Sequence, residues 1–125
     1  MRTSETALQR TVLHEWHAAN GGKMVPFAGY DMPVQYALGI TAEHTATRRG
    51  AGLFDVSHMG RFRVRGAGAC AYLSRALTCN VAALVTGKAA YGFLATPSGG
   101  ALDDAYLYML AEHDYLLVVN ASNRA

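Results

Sequence analysis

Long hydrophobic runs are missing from this sequence, and their absence bounds what the chain can be. Apolar residues make up 51% of the 125 residues, but they are dispersed, and no run approaches the roughly 20 residues that a membrane-spanning helix needs. Charge is also scarce: charged residues make up 16% of the chain, and the net charge is +2. This composition is typical of a globular chain without a nucleic-acid-binding patch. We therefore expect a globular domain with no membrane and no nucleic acid among its partners.

Cysteine is equally sparse, and the histidines show no metal-binding spacing. Cys70 and Cys79 are the only two cysteines, and without a CxxC motif they predict reduced thiols. His14 and His17 could meet on one helix face, but the five histidines show no spacing typical of zinc sites, so we predict no metal site. Ser57 beside His58 is no hydrolase signature, because the geometry of a triad comes from the fold and no G-x-S-x-G elbow surrounds the serine.

The first part of the chain predicts a helix. Thr3 or Ser4 could cap it, it would run to about Ala19, and the glycine-containing segment 20–22 would end it. Three apolar residues at helical spacing form one stripe, which we interpret as core: Leu8, Val12 and Trp16.

The middle of the chain alternates between helix and strand. The predicted elements are an irregular apolar loop with a short strand (23–36), a helix (41–52), a strand within 53–66, a helix (69–77) and a strand (88–94). In the strand within 53–66, Phe62 and Val64 alternate with arginines, which indicates one half-buried face and one basic face. In the last of these helices, the residues expected to face inward are Tyr72, Leu73, Ala76 and Leu77.

Residues 97–120 predict a β-hairpin with a turn at 111–113. Alternation puts Asp103, Ala105, Leu107 and Met109 on one face, which is core apart from Asp103 at its mouth, and puts Asp104, Tyr106 and Tyr108 on the other. If Tyr108 pairs with Leu116, then Asp104 lies opposite Asn120, with Val118 between them on the same face. The result is an aromatic wall with one acid and one amide, suited to a flat heterocyclic ligand. A shift of the strand pairing by one residue would move these side chains to opposite faces and remove the wall.

The order of elements predicts an α+β fold, a mostly antiparallel sheet with a few flanking helices. Without further information, a soluble domain in which Asp103 and Asp104 merely end a strand would explain the hairpin as well.

Several segments together carry a family resemblance. GGKMVPFAGYDMPVQY, GLFDVSHMGRFRVRG, and SGGALDDAYLYM followed by YLLVVNASN resemble, in order and spacing, the N-terminal part of aminomethyltransferase, the T-protein of the glycine cleavage system. Tyr30 stands where many relatives have tryptophan. The resemblance implies that residues 1–125 are the N-terminal portion of a larger folate-binding module whose downstream domains are absent. It also implies a location in the bacterial cytoplasm or the mitochondrial matrix.

The family's activity suggests a function and a site. T-protein takes an aminomethyl group from lipoylated H-protein, releases ammonia and passes the one-carbon unit to its co-substrate tetrahydrofolate, forming 5,10-methylenetetrahydrofolate. By resemblance, Asp104 is the catalytic residue, and His58 is the alternative base, which we interpret as structural. The positions implied to surround the folate are Met59, Tyr91, Tyr106, Tyr108, Val118 and Asn120. We expect this chain by itself to be inactive, since the family completes its pocket with downstream residues.

Two other relatives remain as alternatives. One is a non-catalytic folate-binding module like the iron–sulfur cluster assembly folate proteins, whose K-G-C-Y-x-G-Q-E signature is not found in these 125 residues. The other is the folate module of the dimethylglycine and sarcosine dehydrogenases, in which a flavin domain comes first.

Overall fold

The structure, a computed structural model, describes residues 7–124. Its contacts divide the chain into two compact units, one up to His58 and one from Met59 onward. Among the described residues, every helix is too short or too polar to cross a membrane.

The first unit contains two helices and a two-stranded hairpin. These are α1 (His14–Ala19), β1 (Met24–Phe27), β2 (Tyr30–Pro33) and α2 (Ile40–Arg49). In the turn between the strands, Ala28 and Gly29 have φ angles of 47° and 81°, the left-handed conformation that two-residue hairpin turns require and that glycine adopts without strain. The predicted helix at 41–52 is confirmed, but it spans Ile40–Arg49 and is followed by Gly50.

The prediction of a long first helix was wrong. Its proposed caps, Thr3 and Ser4, lie outside the described residues. Upstream of α1, Gln9 pairs with β2: its N–H donates to the carbonyl of Gly29 and its carbonyl accepts from the N–H of Asp31, both at 2.9 Å. Because these backbone groups are engaged in β-type pairing, the helix begins only at His14.

The apolar stripe was also wrongly interpreted as core. Val12 is 89% exposed and Trp16 is 57% exposed, while the buried side chains of α1 are His14 and His17. Segment 23–36 is more regular than predicted, since it forms the β1–β2 hairpin. Proline is tolerated there because a two-stranded ladder consists only of edge strands, whose outer N–H groups need no partner.

The second unit is a four-stranded antiparallel sheet with one helix against it. Its elements are β3 (Gly60–Arg65), α3 (Ala69–Ala76), β4 (Ala89–Ala95), β5 (Ala101–Ala111) and β6 (Asp114–Val119). The strand order is β3-β6-β5-β4, and every neighbouring pair is antiparallel. The prediction of an α+β fold with a mostly antiparallel sheet is confirmed.

The core lies between α3 and one face of this sheet. Leu73 of α3 and Leu107 of β5 are 1% and 0% exposed. The buried cluster comprises Ala69, Leu73, Leu77, Val81, Ala105, Leu107, Tyr115, Leu117 and Val119. Leu73 and Leu77 face inward as predicted and Ala76 is half-buried, but Tyr72 is 64% exposed. The tyrosine lies outside the stripe because residues 69, 73 and 77 recur every four positions along the helix and define its buried side.

The strand predicted within 53–66 begins only at Gly60. Phe62 and Val64 lie opposite Leu117 and Tyr115 on the core side, although Phe62 stays largely exposed because β3 is an edge strand. On the other face Arg63 makes a bidentate ion pair with Asp114, at 2.6 and 2.8 Å. Cys70 and Cys79 are free thiols, as predicted.

Candidate functional site

The register of the β5–β6 hairpin is the one predicted. Tyr108 pairs with Leu116 and Tyr106 pairs with Val118. Asn120 follows the last residue of β6, and its side-chain Nδ2 donates to Oδ1 of Asp104 at 2.7 Å. The turn is one residue shorter than predicted, since Ala111 pairs with Asp114 and only residues 112–113 connect the strands.

This register depends on an irregularity near the turn. Between Met109 and Ala111 the pairing shifts by one position, so that Leu110 is an extra residue in β5. Such a β-bulge changes which side chains face which side of the sheet. Here it brings Met109 opposite the buried Tyr115.

The two faces of β5 separate as the alternation predicts. Asp103, Ala105 and Leu107 are buried on the α3 side. Tyr106 and Tyr108 are 50% and 40% exposed on the other side. The neighbouring β4 adds Tyr91 opposite Tyr106 and Phe93 opposite Asp104.

We call this exposed surface the aromatic face; it consists of Tyr91, Phe93, Tyr106 and Tyr108. Its rings contact one another in a continuous series. Ring centroids are 5.5 Å apart for Tyr91 and Phe93, 5.3 Å for Tyr91 and Tyr106, and 6.3 Å for Tyr106 and Tyr108. These separations are typical of stabilising aromatic pairs. The face therefore offers an extended apolar surface to a planar group.

Asp104 lies at one end of the aromatic face with both carboxylate oxygens held. Oδ2 accepts a hydrogen bond from the Tyr91 hydroxyl at 2.9 Å, and Oδ1 accepts from Asn120 Nδ2 at 2.7 Å. The hydrogen bond to the Asp104 carboxylate raises the pKa of Tyr91, and desolvation adds to the effect. Each carboxylate oxygen keeps a further lone pair, so Asp104 can still accept a proton or a hydrogen bond from a ligand.

Asp103 faces the other way and acts within the protein. It is 8% exposed and accepts hydrogen bonds from the N–H of Asp104 at 3.0 Å, the N–H of Asn120 at 3.1 Å and Asn120 Nδ2 at 2.8 Å. Burial raises the pKa of Asp103, but hydrogen bonds from Asn120, Asn123 and Asp104 outweigh it, and the pKa lies below its ordinary value. Asp103 is thus an ionised internal acceptor.

The predicted site residues all belong to the second unit. Tyr91, Tyr106 and Tyr108 form most of the aromatic face, and Val118 lies in one cross-strand row with Tyr106 and Tyr91. Met59 directly precedes Gly60, the partner of Val119, so the register puts Met59 at the same end of the sheet as Asn120.

His58, the alternative base, belongs to the first unit. Its ring makes edge contacts with Phe27 and Tyr30, at centroid distances of 5.8 and 6.1 Å. Its Nδ1 is buried without a hydrogen-bond partner. These contacts suit the structural interpretation of His58.

Sequence reasoning missed one aromatic ring and two buried histidine pairs. Phe93 could have been found, because it alternates with Tyr91 along a predicted strand. In the first unit, His14 Nε2 lies 2.8 Å from Asp31 Oδ2, and His17 Nε2 lies 3.0 Å from Asp55 Oδ2. The partners are 17 and 38 positions apart, and no local pattern could have indicated them.

Asp55 carries the strongest electrostatic perturbation in the first unit. Its side chain is 2% exposed. Burial alone would raise the pKa of Asp55, but hydrogen bonds from Ser57 and His17 lower it far below the ordinary range. Nδ1 of the same His17 contacts the Tyr36 hydroxyl at 2.5 Å.

A groove in the first unit is lined by none of the predicted site residues. It has a volume of about 600 Å³. Its lining is mostly apolar and includes Val34, Leu38, Ile40, Leu53 and Phe54. The described residues contain no cluster of three or more metal-binding side chains.

Comparison with known proteins gives one consistent result. Residues 13–125 match the family described as the GCVT N-terminal domain. The aminomethyltransferase of Deinococcus deserti is 54% identical over 122 residues, covering 98% of this chain and 34% of the relative. That of Chlorobaculum tepidum is 49% identical over 116 residues, covering 93% of this chain and 32% of the relative.

A solved structure agrees with the sequence matches. The crystal structure of glycine cleavage system aminomethyltransferase T from Bartonella henselae matches 93% of this chain with a TM-score of 0.89 and 44% identity, over 32% of that chain. This chain spans about a third of the length of the curated relatives it matches. With the family match and the structural agreement together, the chain belongs to the aminomethyltransferase family and carries its GCVT N-terminal domain.

Proposed function

We propose that this chain supplies the acid-bearing face of a glycine-cleavage aminomethyltransferase. In that reaction the aminomethyl group on the lipoyl sulfur of H-protein loses ammonia, and its carbon passes to tetrahydrofolate as the carbon–sulfur bond breaks and leaves a thiol on the lipoyl arm, forming 5,10-methylenetetrahydrofolate. The observation that carries the proposal is the Asp104 carboxylate, held at both oxygens beside an exposed aromatic face. The names of the relatives support the reaction class.

The aromatic face fits the chemistry of a folate. A reduced pterin and its aminobenzoyl ring are largely flat, and such groups bind well against exposed aromatic side chains. Tyr106, Tyr91 and Val118 form one cross-strand row, which gives a planar ligand a surface across three strands. The Asp104 carboxylate at the end of this surface would meet an N–H group of the ligand.

Asp104 would act twice at that position. As a folate amine attacks the methylene carbon, the amine must lose its proton, and a carboxylate within hydrogen-bond reach can accept it. The same negative charge stabilises positive charge that develops on the carbon as ammonia leaves. The bonds from Tyr91 and Asn120 fix the carboxylate, so little reorientation accompanies either step.

The test compares binding with turnover in a chimera. In the chimera, this chain would replace the matching first third of the Deinococcus deserti relative. The relative would supply the remaining two thirds of the protein. We expect Asp104→Asn to lower formation of methylenetetrahydrofolate by at least about 100-fold, the range for loss of a general base, while the Kd for tetrahydrofolate changes less than about threefold.

The matched control is Asp114→Asn, which removes a carboxylate from the same hairpin. Asp114 pairs with Arg63 rather than with the aromatic face, so turnover should be unchanged. Turnover that survives Asp104→Asn would disprove the catalytic role. Tetrahydrofolate binding without any turnover in the unsubstituted chimera would favour a non-catalytic folate module.

A further inference from the structure

The two edge strands of the four-stranded sheet differ in charge. β3, at one edge, carries three arginines: Arg61, Arg63 and Arg65. β4, at the other edge, contains no charged residue between Ala89 and Ala95. An edge strand presents unpaired N–H and C=O groups that can pair with a further strand, and proteins commonly prevent this with charged side chains on the edge. The β3 edge is therefore protected by charge and the β4 edge is not.

The chain itself closes only one half of the β4 edge. The N–H of Phe93 donates to Thr78 Oγ1 at 2.9 Å, and its carbonyl accepts the N–H of Thr78 at 3.0 Å. The backbone groups of Phe93 thus point away from β5. Because these groups alternate in direction along an antiparallel strand, those of Ala89 and Tyr91 point away from β5 as well. Within residues 7–124, these outward groups have no hydrogen-bond partner.

The open half of β4 is complementary to itself. If two copies of β4 pair antiparallel about a two-fold axis at Ala90, then Ala89 of each copy lies opposite Tyr91 of the other. Both residues direct their backbone groups outward, so each of these pairs can exchange both of its N–H···O hydrogen bonds. The two copies then satisfy each other's open groups and need no contribution from the closed half.

The side chains of the open half permit this close approach. Alanine occupies positions 89 and 90, and Tyr91, which is 48% exposed, can pack across Ala89 of the second copy. Lys88 lies opposite Gly92 of the second copy, so no like charges face each other. The chain turns at Gly87, with a φ angle of 81°, and so leaves the strand direction at the point where Thr78 closes the edge.

The β3 edge does not offer the same pairing. The N–H of Gly66 donates to the carbonyl of His113, so by alternation Gly66 and the even-numbered residues of β3 face β6, and the arginines direct their backbone groups outward. Two copies of β3 would therefore place arginine directly opposite arginine, which is destabilising.

We propose that the open edge of β4 binds a second copy of this chain, which pairs antiparallel through residues 89–91 and joins the two sheets into one. Both copies use the same residues, so the assembly closes as a dimer. A two-fold axis perpendicular to the sheet keeps the aromatic faces of both copies on the same side. The paired strip is short, so we expect a dimer Kd on the order of 0.1 mM, within the weak range of specific affinities. This interface does not depend on the proposed function.

The experiment measures association and amide protection in the 125-residue chain. Sedimentation velocity at concentrations on both sides of the expected Kd should show a monomer that converts to a dimer. Hydrogen exchange followed by NMR should slow at the amides of Ala89 and Tyr91 as the concentration rises, because these amides become hydrogen-bonded only in the dimer. The amide of Arg61, on the protected edge, should exchange equally fast throughout.

A proline variant tests the paired edge against the protected edge. Ala89→Pro removes one outward N–H and leaves the β4–β5 ladder intact, because an edge strand tolerates proline where its N–H faces solvent. The dimer loses this hydrogen bond on both copies, so we expect its Kd to rise at least about tenfold. The matched control Arg61→Pro removes an outward N–H from β3 and should leave the dimer Kd unchanged.

A second variant covers the case in which Ala89→Pro does not fold. Ala89→Lys keeps the backbone and gives β4 the kind of charge that protects β3, and it should raise the dimer Kd at least about tenfold as well. Circular dichroism shows which variants are folded. An unchanged dimer Kd in a folded Ala89→Lys variant would overturn the inference, as would a chain that stays monomeric or associates beyond a dimer. Protection of the Ala89 and Tyr91 amides at every concentration would also overturn it, because another part of the same chain would then cover the edge.

Discussion

The Tyr91 hydroxyl on β4 makes a diagonal hydrogen bond to the carboxylate of Asp104 on the neighbouring strand β5. Tyr91 lies directly opposite Tyr106, and Asp104 lies directly opposite Phe93, yet the hydroxyl and Asp104 Oδ2 are 2.9 Å apart. Long side chains can make such diagonal contacts between neighbouring strands. The bond connects the edge strand β4 to the acid on β5.

Removing that hydroxyl should weaken catalysis without abolishing it. Tyr91→Phe keeps the ring of the aromatic face but leaves Asp104 Oδ2 without its protein donor. Because one hydrogen bond makes a modest net contribution, we expect turnover of the chimera to fall about three- to tenfold, with a smaller change in the Kd for tetrahydrofolate. Steady-state kinetics and fluorescence titration measure both. Tyr72→Phe, on the exposed side of α3, is the control, and equal turnover in the two variants would contradict the prediction.

The core between α3 and the sheet should depend on Leu73. Leu73→Ala removes a side chain that is 1% exposed, and such truncations lower the free energy of unfolding by about 2–5 kcal/mol. Urea unfolding followed by circular dichroism measures the change. Tyr72→Ala, one position away on the same helix but 64% exposed, should cost less than about 1 kcal/mol. Similar losses in both variants would mean that α3 packs through a different side.

Acid should destabilise the chain through its two buried aspartates. The pKa values of Asp55 and Asp103 lie below their ordinary value in the folded chain. The unfolded chain therefore binds more protons as the pH falls below about 4, the ordinary aspartate pKa. The stability that the two carboxylates contribute is present above that pH, and it is lost as the pH falls further toward the folded-state values.

Urea midpoints between pH 3 and pH 7 measure this dependence. Asp55→Asn should lower the midpoint at pH 7 and flatten the decrease toward pH 3. Glu112→Gln, at an exposed acid in the hairpin turn, should leave the profile unchanged. If the urea midpoint of Asp55→Asn fell between pH 7 and pH 3 as steeply as that of the unsubstituted chain, other groups would cause the acid sensitivity.

The β5 part of the aromatic face, Tyr106 and Tyr108, could be predicted because it depends on local alternation. β5 is long, its apolar side chains recur at every second residue, and a short turn sets its partner, so parity alone separates Asp104 from Asp103. Parity gives no hydrogen-bond partners, however. Both residues are aspartates, and only the folded chain shows that Asn120 contacts both of them.

The first helix was mispredicted because three apolar residues are a weak signal. The stripe from Leu8 to Trp16 matches helical spacing, but the backbone of Gln9 pairs with β2 instead. Tertiary pairing of this kind overrides local propensity. The buried contact of His17 with Asp55 could not be predicted for a related reason, because it joins residues from distant parts of the sequence.

The bulge at Leu110 decides which of two adjacent carboxylates lies on the exposed side of the sheet. If the ladder continued from the turn without it, Leu110 would lie opposite Tyr115, and every residue of β5 beyond that point would exchange sides. Asp104, Tyr106 and Tyr108 would then all point toward α3, and Asp103 would lie on the exposed side together with Ala105 and Leu107. The side of the sheet on which Asp104 and the tyrosines are exposed is thus set by a residue near the turn that does not itself belong to the aromatic face.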